Sequence, residues 1–354
     1  MNTARSTLVG ARRPPIGNPY LEVLGRAPPS GPYRNASVDG TLWLPFEVAG
    51  QRSTRIAEAK ALVTFQKSTL EYRRAMAAAE AVRVYGMVSV GAERLRVLDG
   101  LLEIARKEAA SYKERYKVGD ATIRDARLAD LELGRYEFLR EESRADLTEG
   151  FSELGRLTGQ NYDVPPSRLD RPPPMDAPPA VERAPSVVAS KAEATYHGRT
   201  AERARREGTA GALSLMLNAG RDELGGARVG AGVAYAFPVW HRNQGEVARS
   251  SAERARALTE ARVNRRVLAV RLKALTRELG EVRRALTVLE KEAEPAAIAT
   301  VEASQEMQRA GKSDLFPVLT SRRDLALLRL RRLDLVLREW TLVSELTAIT
   351  GRNT

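Results

Sequence analysis

Two neighbouring stretches of the chain alternate between apolar residues and small or polar ones, the pattern of a β-strand with one apolar face. In residues 227–239 glycine, alanine, arginine or proline separates Val229, Ala231, Val233, Tyr235, Phe237 and Val239. Residues 211–219 alternate in the same way, with Leu213, Leu215 and Leu217 at the apolar positions. A turn-rich loop joins the two stretches, so the sequence predicts a β-hairpin.

A second hairpin, with a weaker pattern, is predicted near the start of the chain, with strands at about residues 19–25 and 37–47. Both hairpins are apolar on one face only, which suits either half of a soluble sandwich or the wall of a membrane barrel. In a membrane barrel the apolar positions would face lipid. The residues expected to do so are Leu42, Leu44, Leu213, Leu215, Leu217, Val229, Val233, Tyr235 and Phe237.

Long helices are predicted after each hairpin, at about residues 51–116 and 244–308. At 1.5 Å per residue, an uninterrupted helix of this length would extend on the order of 100 Å. Pro295 marks a kink or break in the second of them. The first long helix has an apolar or small residue at every seventh position, which is typical of a helix packed lengthwise on its neighbours. These residues are Ile56, Val63, Leu70, Ala77, Val84, Gly91 and Leu98.

Each long helix turns back at a glycine, Gly119 or Gly311, and a return helix follows at about residues 121–158 or 315–350. Glycine supplies the backbone freedom that a tight helix reversal needs. We call the two turns the tips. Their residues are Val118, Gly119 and Asp120 in the first tip, and Ala310, Gly311 and Lys312 in the second.

The predicted order of strands and helices occurs twice along the chain. The stretch "SELGRLTGQN", which begins at Ser152, returns as "SELTAITGRN" 192 positions later (344 − 152), and the same offset relates Gly119 to Gly311. The strand exits pair Phe46 with Phe237 at an offset of 191 (237 − 46). Chance similarity between Ala/Arg/Leu-rich helices would not keep one offset over more than a hundred residues, so the sequence indicates an internal duplication.

The duplication divides the chain into four parts. Residues 1–18 are interpreted as the remnant of a helix leading into the first strand, and residues 19–161 are the first repeat. Residues 162–180 form a proline-rich linker, and residues 181–354 form the second repeat, with its own leading helix at about 181–208. Because the first leading helix is so short and no signal peptide is visible, we expect a longer natural start that carries one.

Composition favours long helices over compact cores, since 43% of the residues are apolar but only 5% are aromatic. The net charge of +12 is spread through the helical stretches, so most charges are interpreted as solvated faces and no nucleic-acid partner is expected. The chain contains no cysteine, which excludes disulfides, thiolate catalysis and thiolate metal sites in this sequence. The redox compartment therefore stays open.

No catalytic constellation is visible in the sequence. His197 and His241 are its two histidines, lie far apart, and have no neighbouring residues at metal-ligand spacing. We therefore expect no enzyme activity, no cofactor and no metal site. No stretch approaches the roughly 18 consecutive apolar residues of a transmembrane helix.

The strand exits and the tips resemble those of the TolC-like outer-membrane efflux proteins, in particular the cation-efflux branch. The most specific match is the run Arg242, Asn243, Gln244, Gly245 and Glu246 after the second hairpin, and the tip sequences "VGDATIRD" and "AGKSDLFPVL" match as well. The resemblance extends from Gly17 to Gly351.

This resemblance implies a mainly α protein with a β-barrel part, a homotrimer in which each subunit gives four strands to a twelve-stranded barrel above an α-helical tunnel. Backbone chemistry agrees, because a sheet in lipid must close and four strands cannot close around a channel. The implied location is the outer membrane of a Gram-negative bacterium, extending into the periplasm. The implied function is passive export of substrates, with metal cations as candidates, from an inner-membrane RND-type pump and a periplasmic adaptor that docks on the tips.

The resemblance also implies carboxylates that narrow the tunnel end near the second tip. The matching positions hold Pro317 and Thr320, which leaves Asp125 and Asp314 as candidate acidic residues. Other functions stay open, namely a basic nucleic-acid-binding protein or a periplasmic or intracellular coiled-coil adaptor or scaffold without channel activity. Neither predicts two hairpins with one apolar face each.

Overall fold

The computed structural model describes residues 2–26, 36–173, 180–209, 213–221, 225–313 and 315–351. It is mainly helical, with one four-stranded antiparallel sheet. In chain order the elements are α1 (Asn2–Ala11), β1 (Tyr20–Arg26), β2 (Ser37–Phe46), α2 (Gln51–Lys117), α3 (Ile123–Thr158), a 3-10 turn (Val181–Arg183), α4 (Pro185–Thr209), β3 (Leu213–Arg221), β4 (Ala227–Tyr235), α5 (Gln244–Val288), a π turn (Leu289–Ala293), α6 (Glu294–Arg309) and α7 (Leu315–Thr350).

The chain forms two compact units. One, which we call the sheet unit, consists of Met1–Tyr72 and Pro185–Arg266 and contains all four strands. The other, the helical unit, consists of Arg73–Ala184 and Val267–Thr354 and contains both tips.

The two predicted hairpins join into a single sheet with the strand order β1-β2-β3-β4. The joint is the antiparallel pairing of β2 with β3, in which Leu42 lies opposite Leu217. Each repeat therefore supplies one hairpin, and the central contact of the sheet lies between the repeats.

Strand β4 ends at Tyr235, so the predicted strand of residues 227–239 is too long, and Phe237 lies beyond the sheet. Pro238 has no amide hydrogen, and the amide of Val239 donates to the carbonyl of Phe237 at 3.0 Å. This tight turn takes the backbone out of the hydrogen-bonded ladder before the predicted end.

Helix α1 is fastened to the start of α2 by arginines. The guanidinium of Arg52 donates to the carbonyl of Arg13 at 3.1 Å, and that of Arg55 donates to the carbonyl of Ala11 at 3.2 Å. Cations at a helix C-terminus satisfy its free carbonyls and oppose the negative end of its dipole. The N-terminal segment is thus an integral part of the sheet unit.

The core of the helical unit is formed by apolar residues of α2, α5 and α7, among them Val90, Leu286 and Leu333. Of the predicted seven-residue seam, Val84 and Leu98 are buried in this unit, but Ala77 is exposed. A straight α-helix has 3.6 residues per turn, so a strict seven-residue spacing drifts around its surface by roughly 20° per heptad. The drift brings other positions of α2 into the core.

The predicted break at Pro295 is present as a π turn at Leu289–Ala293, directly before α6. Proline lacks the amide hydrogen that the carbonyl one turn earlier would receive, and a π turn accommodates such a defect with wider hydrogen bonds. The predicted helix at residues 244–308 is therefore α5 and α6, separated by this turn.

Part of the proline-rich linker is packed against the helical unit. Leu169 contacts the core, and the indole of Trp340 donates to the carbonyl of Asp170 at 3.2 Å. Arg171 donates to the buried carboxylate of Glu339 at 2.9 Å. Residues 168–171, which we call the linker clamp, therefore fasten the linker to α7. The composition of the linker did not indicate this contact.

Candidate functional site

The apolar positions predicted from the alternation in β2, β3 and β4 lie on one face of the sheet, together with Leu21 and Val23 of β1. Leu21 is opposite Leu42, Leu42 is opposite Leu217, and Leu217 is opposite Ala231. Directly opposed residues of an antiparallel sheet project from the same face. Except for Phe237, every residue predicted to face lipid belongs to this set: Leu42, Leu44, Leu213, Leu215, Leu217, Val229, Val233 and Tyr235.

This apolar face is open. The exposed fraction is 87% for Val229 and 69% for Val233, both in the edge strand β4. A contiguous exposed apolar surface marks contact with lipid or with another protein surface.

The opposite face of the sheet is the more polar one, and we call it the polar face, although it also carries Tyr20, Leu24, Trp43 and Met216. The side-chain amide of Asn218 donates to the hydroxyl of Thr41 at 3.4 Å, and the guanidinium of Arg228 lies 3.7 Å from the carboxylate of Asp39. Gly230 and Gly232 of β4 also lie on this face. The two faces of the sheet thus differ in polarity.

Both strand exits use the same device to enter the following helix. A residue with a left-handed backbone, Gly50 (φ 79°) or Asn243 (φ 56°), precedes a glutamine. The side-chain oxygen of Gln51 accepts from the amide of Ala49 at 2.8 Å, and that of Gln244 accepts from the amide of Arg242 at 3.0 Å. The specific run from Arg242 to Glu246 therefore has a structural role.

Asparagine is one of the few residues other than glycine that adopts a left-handed backbone readily. The side-chain amide of Asn243 also donates to the carbonyl of Ala204 at 3.1 Å, which fixes the exit against α4. Equivalent positions here are 193 apart (243 − 50), two more than the offset at Phe46 and Phe237. The second exit is therefore longer by two residues, and the sequence pairing at 191 does not continue past Phe237.

Both tips are built on the same helix ending. Gly119 (φ 81°) and Gly311 (φ 66°) have left-handed backbones. The amide after each glycine donates to a carbonyl five residues back, Asp120 to Arg115 at 2.8 Å and Lys312 to Met307 at 2.9 Å. This is a Schellman motif, in which glycine is the favoured residue because a side chain there would be strained. The turns themselves therefore account for a left-handed residue at both positions, where glycine is the most favoured.

Near the tips, helices α2 and α6 contact each other through residues that the sequence did not single out. The side-chain amide of Gln308 donates to the hydroxyl of Tyr112 at 2.5 Å, and burial raises the pKa of this hydroxyl. Leu315 of α7 packs in the same cluster as Ala129 of α3. Tyr112 continues the seven-residue series beyond Leu98, and this was the available signal. These contacts thus join the helix ends next to the two tips.

The tip surface has an apolar residue and small ones at its turns. Val118 is 79% exposed, and a side-chain carbon added at Gly119 or Gly311 would meet nothing within 4 Å. Such a surface leaves room for the close approach of a partner helix.

Asp125, one of the two candidate acidic residues, has a local structural role. Its carboxylate accepts from the hydroxyl of Thr122 at 2.7 Å and from the amide of Thr122 at 3.2 Å, while the hydroxyl accepts from the amide of Asp125. This is a capping box at the start of α3, and the spacing Thr-x-x-Asp was its signal in the sequence. Asp314, the other candidate, lies outside the described residues.

In the part of the chain that the structure describes, no helix is both long enough and apolar enough to cross a membrane. Among the same residues, histidine and carboxylate side chains form no group of three or more that could hold a metal ion.

In sequence, the chain is similar to the cobalt-zinc-cadmium resistance protein CzcC of Cupriavidus metallidurans, with 27% identity over 322 residues that cover 87% of this chain and 76% of CzcC. In structure, it is similar to the CmeC outer membrane channel of Campylobacter jejuni, with a TM-score of 0.80 and 14% identity over 99% of this chain and 81% of CmeC. The chain has the TolC-like fold.

The open-state MtrE outer membrane channel of Neisseria gonorrhoeae shares this fold, with a TM-score of 0.75 and 13% identity over 99% of this chain and 84% of MtrE. No protein-family model matches the chain. The TolC-like resemblance and fold class predicted from the strand exits, the tips and the duplication are confirmed.

Proposed function

We propose that this chain is one subunit of a homotrimeric efflux channel in the outer membrane of a Gram-negative bacterium. The observation that carries the proposal is the sheet, which is apolar across one face and has β1 and β4 as its edges. A sheet in lipid must pair its edge strands, because unpaired backbone groups there cost several kcal/mol each. Joining copies edge to edge closes the sheet and keeps the polar face inside.

The channel would work passively within a tripartite system. An inner-membrane pump of the RND type and a periplasmic adaptor would deliver the substrate, which leaves through the channel to the exterior. The sequence similarity to a cobalt-zinc-cadmium resistance protein supports metal cations as the substrate. The pump would select the ion, so the channel itself needs no metal site.

The tips are proposed as the docking ends for the adaptor. Their small, exposed residues, and the contact between α2 and α6 close to them, support a docking surface at this end of the helices. The matched helix endings alone favour a simpler role, which is to reverse the chain.

The channel proposal is tested with two neighbouring positions of β4. Val233→Arg places a charge on the apolar face, and we expect it to oppose insertion by about 2–4 kcal/mol near the bilayer midplane, so that little trimer reaches the outer membrane. Gly232→Arg is the matched control on the polar face, where an added side chain first meets the flexible end of Met216. This variant should form membrane trimers and change the conductance of the channel in planar bilayers.

The readouts are the amount of protein in outer-membrane fractions and its migration as a trimer in mild detergent. A wild-type protein that is monomeric and soluble without detergent would contradict the proposal. If Val233→Arg and Gly232→Arg gave equal amounts of protein in outer-membrane fractions, the charge on the apolar face would carry no penalty, so neither face would meet lipid. This result would favour the alternative of a coiled-coil adaptor or scaffold.

A further inference from the structure

A cavity lies among four helices of the helical unit. Its volume is about 150 Å³, and α2, α3, α6 and α7 all contribute to its wall. An apolar cavity of about 150 Å³ has room for one benzene ring. The apolar side chains of the wall are Leu101, Ile104, Val301, Leu319 and Leu325.

The two arginines in the wall of this cavity have partners within the protein. Arg322 forms an ion pair with Glu108. With the amide of Gln305 oriented so that its oxygen faces Arg322, that oxygen accepts from Nε at 3.1 Å and from Nη2 at 2.8 Å. Arg329 donates to the carboxylate of Glu294 at 3.0 Å. Both positive charges are therefore already compensated, which leaves little attraction for an anionic ligand.

The carboxylate of Glu132, on α3, also lines the cavity but lacks a close partner. Its side chain is 18% exposed, and Nη1 of Arg135 lies 3.9 Å from the carboxylate, which is beyond hydrogen-bond distance. Among the residues that the structure describes, neither this carboxylate nor the hydroxyl of Tyr136, which lines the cavity too, has a hydrogen-bond partner. A carboxylate drawn out of water is costly unless a donor meets it, so this part of the cavity is suited to a cation.

The hydroxyl of Tyr136 adds an acceptor to the same part of the cavity. Burial, followed by the neighbouring carboxylate of Glu132, raises the pKa of Tyr136 to about 12. The hydroxyl therefore stays protonated, and its oxygen keeps lone pairs for a donor.

We propose that the cavity binds a small aromatic amine, with the ring against the apolar wall and the ammonium group donating to Glu132 and Tyr136. Burial of the ring favours binding, and the carboxylate without a donor favours a cation over a neutral analogue. The wall combines α2 and α3 of the first repeat with α6 and α7 of the second, so the ligand would contact the helical hairpins of both repeats. The site does not depend on the proposed channel function.

The test uses para-fluorobenzylamine as the probe and para-fluorotoluene as the same ring without the ammonium group. Each is titrated into the full-length protein in dodecyl maltoside micelles, with empty micelles as the reference, and fluorine NMR reports the Kd. Glu132→Gln removes the charge and keeps the shape of the side chain. Its matched control is Glu137→Gln in the same helix, where the carboxylate is exposed and lies 3.3 Å from Arg106. Leu325→Trp reduces the space in the cavity.

We expect the wild type to bind para-fluorobenzylamine with a Kd on the order of 1 mM, as for other molecules of this size. Glu132→Gln should weaken binding about tenfold, because a hydrogen bond to a charged acceptor is stronger than one to an amide. Leu325→Trp should abolish binding, and Glu137→Gln should leave the Kd unchanged. Para-fluorotoluene should bind more weakly than the amine to the wild type and equally to Glu132→Gln.

Binding to the wild type that does not exceed the uptake by empty micelles would overturn the proposal. Equal Kd values for the amine in the wild type and Glu132→Gln would overturn it as well, since the carboxylate would then not recognise the cation. Unchanged binding in Leu325→Trp would place the probe elsewhere, with the same consequence. The comparison of the amine with para-fluorotoluene needs only the wild type, so stronger or equal binding of the neutral ring contradicts the proposal even where a variant fails to fold.

Discussion

At the scale of single residues, close packing decides where glycine is required. Gly86 of α2 faces Trp340 of α7, and a side-chain carbon added at Gly86 would lie 2.5 Å from carbons of that residue. Gly100 lies in the same helix, and a carbon added there would meet nothing within 4 Å. Packing therefore requires glycine at position 86 of this helix, whereas position 100 has room for a side chain.

Gly86→Ala is expected to destabilise the protein by about 1–3 kcal/mol, because Trp340 must move out of a packed core. Gly100→Ala should stabilise it by about 0.5–1 kcal/mol, since alanine has the higher helix propensity and no neighbour to displace. The midpoints of urea unfolding, followed by far-UV circular dichroism in detergent, measure both changes. A shift in the same direction for the two variants would contradict this account.

At the scale of elements, one buried carboxylate ties the linker to two helices. Glu339 of α7 is 2% exposed and accepts from Arg171 of the linker at 2.9 Å and from Arg283 of α5 at 2.7 Å. Glu290, in the π turn, lies 3.3 Å from Arg171. The π turn and the linker clamp therefore meet at Arg171. Because these residues are far apart in the sequence, the sequence alone does not predict this contact.

Glu339→Gln should destabilise the helical unit by about 2–3 kcal/mol, less than for fully buried ion pairs because both arginines are partly exposed. Its control, Glu345→Gln in the same helix, removes a more exposed pair with Arg271 and should cost at most about 1 kcal/mol. Thermal unfolding of both variants and faster tryptic cleavage at Arg168 in Glu339→Gln are the measurements. Equal unfolding curves would show that the clamp contributes little.

At the scale of the whole molecule, the duplication brings matching backbone features to equivalent places. Gly119 and Gly311 end the long helices, and Gly159 and Gly351 end the return helices, each with a left-handed backbone. The tips then differ in their side chains, since the first has the Thr122 capping box and the second has Pro317 at the position of Asp125. A partner that recognises the backbone of one tip would therefore find the same backbone at the other tip.

The double variant Gly119→Asn with Gly311→Asn tests the docking role of the tips. Asparagine keeps the left-handed turn but adds a side chain to the open surface, so trimer formation should persist while adaptor cross-linking and export in cells fall several-fold. Gly159→Asn is the matched control, because Gly159 has the same backbone and equally open space at the end of α3. Unchanged cross-linking and export in the double variant would leave the tips as turns alone.

The sequence by itself determined the local structure of this protein and the order of its elements. Alternation in 213–221 and 227–235 shows strands because side chains of a strand project to opposite faces in turn, and this period is a property of the backbone. The positions of Gly119 and Gly311 show helix ends for the same kind of reason, since a left-handed residue is a local requirement. Both signals, the strand alternation and the glycine at the helix end, occur in each half of the chain. Their repetition predicted the duplication and supported the TolC-like fold.

Only the tertiary structure decided which distant segments meet. The pairing of Leu42 with Leu217, the bond between Tyr112 and Gln308, and the clamp of Arg171 on Glu339 each join residues far apart in the chain. Periodicity assigns a residue to a face but does not name the partner on the other side, because many apolar or charged partners satisfy the same pattern.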